Sequence, residues 1–131
     1  MPCDFEIDTV YRLVRTRLWG MVTSDEVMEH RRRLLADPAF RDGYSQLIDM
    51  RDMTGTTVTG DEIRQLAESS PFAPGARRAT VAPLDVNFGL ARMFGSFRES
   101  HSPGEQFRVF RKLEDAMEWL KLPGANAGCA T

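Results

Sequence analysis

The chain has 131 residues, of which 42% are hydrophobic and 27% are charged, a composition that excludes wholesale disorder. Seventeen Lys and Arg residues against nineteen Asp and Glu residues give a net charge of −2, which excludes a general attraction to nucleic acid or anionic membranes. A chain of this length can bury roughly two-thirds of its unfolded surface, so we expect one hydrophobic core.

The cysteines and the first residues indicate the cellular compartment. Cys3 and Cys129 are the two cysteines, and their positions near the ends of the sequence support neither a disulfide framework nor a Cys-based zinc site. The acidic first residues lack the pattern of a signal peptide, and no apolar run is long enough to span a bilayer. We therefore expect a cytoplasmic protein without a membrane span.

The first half of the chain predicts two strands, a helix and a third strand. Apolar residues alternate with Arg and Thr over residues 5–8 and 10–19, which is typical of strands. Thr23 and Glu26 form a capping-box pattern, which begins a helix. Residues 44–50 form an apolar run that is typical of a buried central strand. Polar residues follow this strand.

The second half predicts alternating helices and strands. Thr59 and Glu62 form a second capping box at the start of a helix, and residues 78–82 predict a strand. Asp85 is predicted to cap the next helix. The apolar face of that helix comprises Val86, Leu90, Phe94 and Phe97. A last strand over residues 106–110 and a last helix over residues 113–120 complete the order.

The predicted order is β-β-α-β-α-β-α-β-α. Strands separated by helices require crossover connections and therefore a largely parallel sheet, to which the first hairpin adds an antiparallel edge. The prediction is a single α/β domain over residues 1–122, with a mixed, mostly parallel sheet of about five strands and four helices. Residues 123–131 are predicted to form a flexible tail.

This order, with the segments GMVTSDEV, LIDMRDMTG, RRATVAP, NFGLARMF and FRVFRKLEDAMEWL in their places, resembles the bacterial STAS-like domains. These domains are relatives of anti-sigma-factor antagonists and of the cytosolic domains of sulfate transporters. The resemblance extends from residue 5 to residue 120 and is closest to a stand-alone branch that is grouped with CRAL-TRIO-like lipid-binding domains. It implies a STAS-like fold and a regulatory, non-catalytic role.

The resemblance also implies a position for phosphorylation. In the antagonist members, a Ser or Thr at the start of the helix after the central strand is phosphorylated within an Asp-Ser-Ser-Gly motif. Only Thr59 and Gly60 align with the last two residues of that motif, and the preceding Asp and Ser are missing here. Phosphorylation of Thr59 would also add negative charge beside Asp61 and Glu62.

Polar residues cluster after the predicted central strand and after the next strand. In open α/β sheets, ligands bind beyond the carboxyl ends of the strands. The candidate ligand-binding residues in these two loops are Asp49, Arg51, Asp52, Thr56, Thr57, Thr59, Asp85 and Asn87. The alternative is that these side chains only form turns and helix caps.

Arg31 lies at the centre of the predicted apolar face of the first helix, which comprises Val27, Met28, Leu34 and Leu35. One interpretation places its stem on the core and its head in solvent or on Asp49 or Asp52. The other makes Arg31 a ligand-binding residue.

Phe88 and Arg92 share one face of a predicted helix and are the candidate partner surface, with a homodimer as one use. The two histidines, His30 and His101, lack the spacing of a metal motif, and no nucleophile elbow accompanies Ser100 or Ser102. We expect no catalytic residues, no metal and no cofactor.

Two functions remain open from the sequence. The first is a non-catalytic binding or regulatory module that recognises a protein partner or a second copy of itself, with no role for nucleic acid. The alternative is a small-molecule or lipid carrier with a pocket at the carboxyl ends of the strands, where Arg31 and the polar loop hold a headgroup and the Met- and Phe-rich interior holds an apolar tail.

Overall fold

A computed structural model describes residues 3–73 and 75–122, so the predicted tail lies outside the described residues. The predicted element order is confirmed. The elements are β1 (Cys3–Asp8), β2 (Leu13–Val22), α1 (Ser24–Ala36), β3 (Ser45–Thr56), α2 (Gly60–Ala67), β4 (Arg77–Val81), α3 (Asp85–His101), β5 (Gln106–Phe110) and α4 (Leu113–Trp119). No helix within the described ranges is long and apolar enough to cross a membrane.

The five strands form one sheet in the order β1-β2-β3-β4-β5. β1 pairs with β2 in antiparallel orientation, and the other three pairs are parallel. Because each parallel strand lies beside its predecessor in the same direction, right-handed crossovers place α1, α2 and α3 on one face of the sheet. α4 contacts β3, β4 and β5 from the opposite face. The prediction of an α/β fold with a mixed, mostly parallel sheet is confirmed.

The face that α4 covers, here called the one-helix face, is packed with apolar side chains. Alternate residues of a strand point to opposite faces, so Leu13 of β2, Leu47 of β3 and Ala79 of β4 point the same way. The buried cluster on this face comprises Leu13, Leu47, Ala79, Val81, Ala116, Leu120 and Leu122. It is a continuous hydrophobic core without a buried charge among its members.

The opposite face, here called the three-helix face, carries two separate apolar clusters. One comprises Val14, Leu34, Phe72 and Ala76, and the other comprises Val22, Met50, Met53 and Ala82. Buried polar residues, including Thr16, Gln46 and Arg78, belong to neither cluster. The apolar packing of this face is therefore interrupted.

The two predicted capping boxes are present. Thr23 with Glu26 caps α1, and Thr59 with Glu62 caps α2. The prediction for α3 is wrong, because Asp85 is the first helical residue and no side chain caps this helix. Its carboxylate still lies in the first turn, where negative charge suits the helix dipole.

β3 is longer than its apolar run, because it continues to Thr56. β2 supplies hydrogen-bonding partners along this extension up to the pairing of Val22 with Thr56, with irregularities between Arg17 and Trp19 and between Gly20 and Met21. Gly20 has a φ of +63°, which favours glycine. Of the polar residues in the predicted loop, Arg51, Asp52 and Thr56 therefore lie within the strand, whereas Thr57 and Thr59 follow it.

The apolar faces predicted for two helices are partly wrong. Val86 of α3 is 71% exposed, and the buried residues of this helix include Asn87 and Arg98. Met28 and Leu35 of α1 are also exposed, and the buried residues there are His30 and Leu34. Polar side chains occupy buried helical positions, so an apolar stripe does not mark the inner face.

Candidate functional site

A cavity of about 180 Å³ lies between the three-helix face of the sheet and helices α1, α2 and α3. Most of its lining is apolar. The apolar side chains around it include Leu18, Ile48, Met50, Met53, Ile63, Leu66, Leu90 and Phe94. An apolar cavity of roughly 150 Å³ is large enough to hold benzene, so this cavity can hold a small organic molecule.

One part of the cavity wall is a row of hydrogen-bonded polar side chains on adjacent strands. Gln46 Nε2 donates to Thr16 Oγ1 over 3.0 Å, and Arg78 Nε donates to Gln46 Oε1 over 3.1 Å. Thr16 Oγ1 also lies 3.3 Å from His30 Nε2. All four residues are buried and line the cavity. The cavity is therefore amphipathic, with a polar wall on one part of the sheet.

Arg78 is the most unusual member of this row, since only 5% of it is exposed. Its guanidinium lies 4.9 Å from the ring centroid of Phe72 and 5.5 Å from those of Phe94 and Phe107. Burial lowers the pKa of Arg78 to about 10, although Glu105 opposes this shift. The side chain remains positively charged at neutral pH, held among three aromatic rings.

Two guanidinium groups share one carboxylate behind this wall, and a third guanidinium lies near them. Arg98 Nη2 donates to Glu105 Oε2 over 3.1 Å, and Arg78 Nη1 lies 3.7 Å from Glu105 Oε1. Glu105 has a side-chain exposure of 2%. The third guanidinium, that of Arg31, lowers the pKa of Arg78, as does that of Arg98. This group of residues, here called the arginine cluster, carries more positive than negative charge.

Arg31 lines the cavity and is held by the end of α2. Its Nη2 donates to the Leu66 carbonyl over 2.7 Å, and its Nη1 donates to Ser69 Oγ over 3.3 Å. Burial lowers the pKa of Arg31, and nearby Arg98 lowers it further. The expectation that the Arg31 head reaches solvent or one of two carboxylates is wrong for Asp49 and Asp52, because those carboxylates pair with Arg51 and Arg17.

Thr80 lies on β4, two residues beyond Arg78 and on the same face, and it lines the cavity. It is 1% exposed, and its Oγ1 has no hydrogen-bond partner within residues 3–73 and 75–122. A buried hydroxyl without a partner costs about 1–3 kcal/mol. The polar wall therefore includes one hydroxyl group whose hydrogen-bonding capacity is unused.

Cys3 and His30 also line the cavity and are both neutral at pH 7. Burial raises the pKa of the Cys3 thiol to about 12. Burial, followed by the charge of Arg33, lowers the pKa of His30 to about 4. In the part of the chain that the structure describes, no group of three or more His, Cys, Asp or Glu side chains could hold a metal ion.

The predicted site residues that lie outside the cavity include Asp49, Arg51 and Asp52. Arg51 Nε and Nη2 each donate to Asp49 over 2.9 Å, and Asp52 pairs with Arg17 at 3.0 Å. Asp49 lies two residues after Leu47 on β3 and therefore points to the one-helix face. The structure does not bring these residues together with Arg31.

Of the three threonines among the predicted site residues, one lies at the cavity and two lie at the surface. Thr56 lines the cavity, and its hydroxyl donates to the Val22 carbonyl over 2.7 Å. Thr57 is exposed, and Thr59 is an exposed helix cap whose hydroxyl accepts from the Glu62 backbone.

Asp85 and Asn87 lie at the start of α3. Asp85 is exposed and pairs with Arg111 at 2.5 Å. Asn87 is buried, and its Nδ2 donates to the Met53 carbonyl over 3.4 Å. This bond joins α3 to the end of β3, although neither residue lines the cavity.

Phe88 is half-buried on α3, next to a groove that Arg92, Glu99 and Arg108 help to line. The Arg111 guanidinium lies 4.1 Å from the Phe88 ring centroid, and that of Arg92 lies 6.0 Å from it. The ring is therefore partly covered by arginine side chains and does not form a flat apolar patch.

The sequence pattern did not identify five residues of the site, namely Thr16, Gln46, Arg78, Thr80 and Glu105. The first four occupy alternate strand positions next to buried apolar residues, for example Arg78 and Thr80 around Ala79. That alternation is typical of a strand with one solvated face. In this sheet helices cover both faces, so the polar positions are buried.

This arrangement defines an α/β domain with an amphipathic cavity between its sheet and three of its helices. No protein-family model matches the sequence, and no curated protein matches it either. Among solved structures, the chain is similar to that of an uncharacterised protein of the DUF3478 family with a SpoIIAA-like fold, from Shewanella loihica PV-4. The TM-score is 0.51 and the sequence identity 18%, over 82% of this chain and 83% of that chain.

The likeness establishes the fold. The chain has a SpoIIAA-like fold, which is STAS-like, and the predicted fold type is confirmed. The grouping with CRAL-TRIO-like domains stays a prediction.

Proposed function

We propose that this protein is a non-catalytic binding module whose ligand is a small, largely apolar molecule held in the cavity. The amphipathic cavity carries this proposal. Protein interiors are close-packed, and an open apolar volume beside buried polar groups is typical of ligand sites. Of the two functions that the sequence leaves open, the cavity favours small-molecule binding.

The volume limits the ligand. Pockets for drug-sized ligands occupy roughly 300–1,000 Å³, and this cavity has about 180 Å³. It suits a molecule of about six to ten non-hydrogen atoms, by comparison with the cavity that holds benzene. A two-chain lipid is too large, so we favour a small molecule over a lipid cargo.

The protonation states support binding over catalysis. A cysteine reacts as a thiolate, and a histidine acts as an acid or base best when its pKa is near the working pH. The pKa of Cys3 is about 12 and that of His30 about 4, so both are poorly suited to catalysis at pH 7.

Native mass spectrometry of protein purified from its source tests this proposal. Ala91 is a buried residue of α3 that lines the cavity, so Ala91→Leu should fill part of the volume. The exposed Ala36→Leu is the control. We expect the unmodified protein and A36L to retain a molecule on the order of 100–150 Da, given the volume that such a molecule occupies, and A91L to lose it.

The proposal would be contradicted if the unmodified protein were a monomer with the mass of the polypeptide alone under conditions that preserve weak complexes. Retention of the same molecule by A91L would place the ligand outside the cavity. A bare-mass dimer would support the second candidate function.

The second candidate is a partner-binding regulatory module that uses Phe88 and Arg92. The polar groove beside Phe88 favours it, because the guanidinium groups of Arg92 and Arg108 that line the groove suit an acidic partner surface or a second copy of the chain. Loss of a dimer in Phe88→Ser and in Arg92→Glu, measured by light scattering, would support this candidate, and a monomer in the unmodified protein would exclude the homodimer.

Phosphorylation of Thr59 is the least favoured regulatory proposal. The Glu62 carboxylate already accepts hydrogen bonds from the Thr59 backbone and from Ser24 Oγ, so an added phosphate would lie beside a fixed negative charge. Mass spectrometry of protein from its source, showing Thr59 unmodified under starvation and stress, would rule it out.

A further inference from the structure

The charge balance of the arginine cluster is the feature that the small-molecule proposal leaves unexplained. Arg78 and Arg98 are buried and Arg31 is half-buried, and Glu105 is the carboxylate that pairs with the first two. Burying a charge is costly unless it is paired. The Leu66 and Ala67 carbonyls accept from Arg31 and Arg98, but carbonyl dipoles offset only part of a full charge.

We infer that the ligand carries a carboxylate group, which binds between Arg31 and Arg78 and accepts a hydrogen bond from the Thr80 hydroxyl. This inference rests on the proposed function and names the chemical class of the ligand. The added negative charge reduces the excess positive charge of the cluster, and the hydroxyl gains a partner.

The two arginines that line the cavity approach the same backbone segment. Arg31 Nη1 donates to Ser69 Oγ, and Arg78 Nη1 donates to Ser70 Oγ over 3.2 Å. Because these serines are adjacent in the chain, the two guanidinium groups are close to each other. A guanidinium group binds a carboxylate through paired N–H donors, with hydrogen bonds about twice as strong as neutral ones.

Thr80 is the independent observation that points to a ligand. Its hydroxyl is buried, faces the cavity and has no partner among the residues that the structure describes. Buried hydroxyl groups in native proteins nearly always have a partner. A carboxylate in the cavity accepts a hydrogen bond from this hydroxyl. The space for the carboxylate is bounded by two neighbouring side chains on the same face, Arg78 and Ile48.

The rest of the cavity suits a short apolar group. Met50 and Met53 lie further along β3, and Leu18 and Val22 lie beside them on β2. Methionine side chains adapt to different shapes. The ligand class is therefore a monocarboxylate with a short alkyl chain or a single ring.

Calorimetric titration with hexanoate and with hexanamide tests this inference. The two probes have the same size and differ mainly in charge. We expect the unmodified protein to bind hexanoate at least about ten-fold more tightly than hexanamide, because charge-assisted hydrogen bonds are made only with the carboxylate.

Two variants locate the binding site of the carboxylate, and a third is the control. Arg31→Met removes one guanidinium but keeps an apolar stem, and we expect it to bring the affinities for the two probes within about three-fold of each other. Thr80→Val removes only the hydroxyl and should weaken hexanoate binding by about three-fold or more. Arg64→Met removes the same charge from the exposed face of α2 and should leave both affinities unchanged.

The outcomes separate the two proposals. If both probes bind the unmodified protein equally well, the carboxylate inference is overturned and the proposed function stands. If neither probe binds, both proposals fail. Unchanged selectivity in R31M and T80V, with tight hexanoate binding in all variants, would place the carboxylate elsewhere and overturn the inference.

Discussion

The two faces of the sheet are built from the same strands and differ in what they bury. The one-helix face buries apolar side chains such as Leu13, Leu47 and Val81 in a continuous core. The three-helix face buries Arg78, Gln46 and Thr80 beside an open volume. One face therefore has the features of a structural core, and the other has the features of a binding site.

The difference matters because buried charge and open volume both reduce stability. Apolar residues in the same space would give a more stable fold than the three arginines and the cavity between the sheet and the helices. We therefore interpret the three-helix face as the functional one.

The largest effect is expected from Glu105→Gln. This change leaves Arg78 and Arg98 buried without their carboxylate, so the free energy of unfolding should fall by about 3–5 kcal/mol. Asp52→Asn, which removes an exposed ion pair with Arg17 on the other face, should cost no more than about 1 kcal/mol. Urea denaturation measures both values. Similar losses for the two variants would contradict the difference between the buried charges on the three-helix face and the exposed ion pair on the other face.

The next effect compares two buried residues of one strand. Leu47→Ala removes a side chain from the packed core, and we expect a loss of about 3 kcal/mol, within the usual range for such changes. Met50→Ala enlarges a space that is already open on the other face, and its loss should be smaller, about 2 kcal/mol. Equal losses in thermal and urea unfolding would indicate that the three-helix face is as tightly packed as its opposite.

His30 gives the three-helix face a pH dependence. Its pKa is about 4 in the folded chain and about 6.5 when unfolded, so the unfolded chain binds the proton first as the pH falls. Stability is then highest above pH 6.5 and decreases toward pH 4, by about 2 kcal/mol between pH 7.5 and pH 5. Burial is the main cause, Arg33 and Arg31 act in the same direction, and Asp4 opposes them.

The variant His30→Gln separates this effect from the titration of carboxylates, since it keeps a polar group near Thr16. Its free energy of unfolding should change by less than that of the unmodified protein between pH 7.5 and pH 5. Identical pH profiles for the two proteins would show that His30 is not buried in its neutral form.

The smallest effect compares two threonines on the three-helix face. Thr80→Val removes a buried hydroxyl without a partner among the described residues, so stability should rise by about 1 kcal/mol. Thr16→Val removes the acceptor for Gln46, so stability should fall by about 1 kcal/mol. If thermal unfolding shows a loss for both variants, Thr80 has a partner in the folded protein.

Much of the fold could be predicted from local patterns. The capping boxes at Thr23 and Thr59 begin the first two helices, and the apolar runs identify the strands in the correct order. The extension of β3 to Thr56 could not be predicted in this way, because it depends on pairing with β2 and not on its own apolar residues.

The site was less predictable because it depends on which face each side chain occupies. Arg31 and Thr56 were identified and do line the cavity. Asp49 lies at the predicted carboxyl end of the central strand, which made it a candidate, yet the alternation of β3 places it on the other face. Glu105 could not be identified, since it lies in the loop after α3 and its contact with Arg78, which is distant in sequence, forms only in the folded sheet.

Methyl NMR of the methionine and leucine side chains during a hexanoate titration tests whether the ligand binds at the three-helix face, because it observes both faces of the sheet at once. We predict saturable shifts of the Met50 and Met53 methyl signals, with no change for Leu13 and Leu47. Shifts confined to Leu13 and Leu47, or no saturable shift of any methyl signal, would contradict the assignment of ligand binding to the three-helix face.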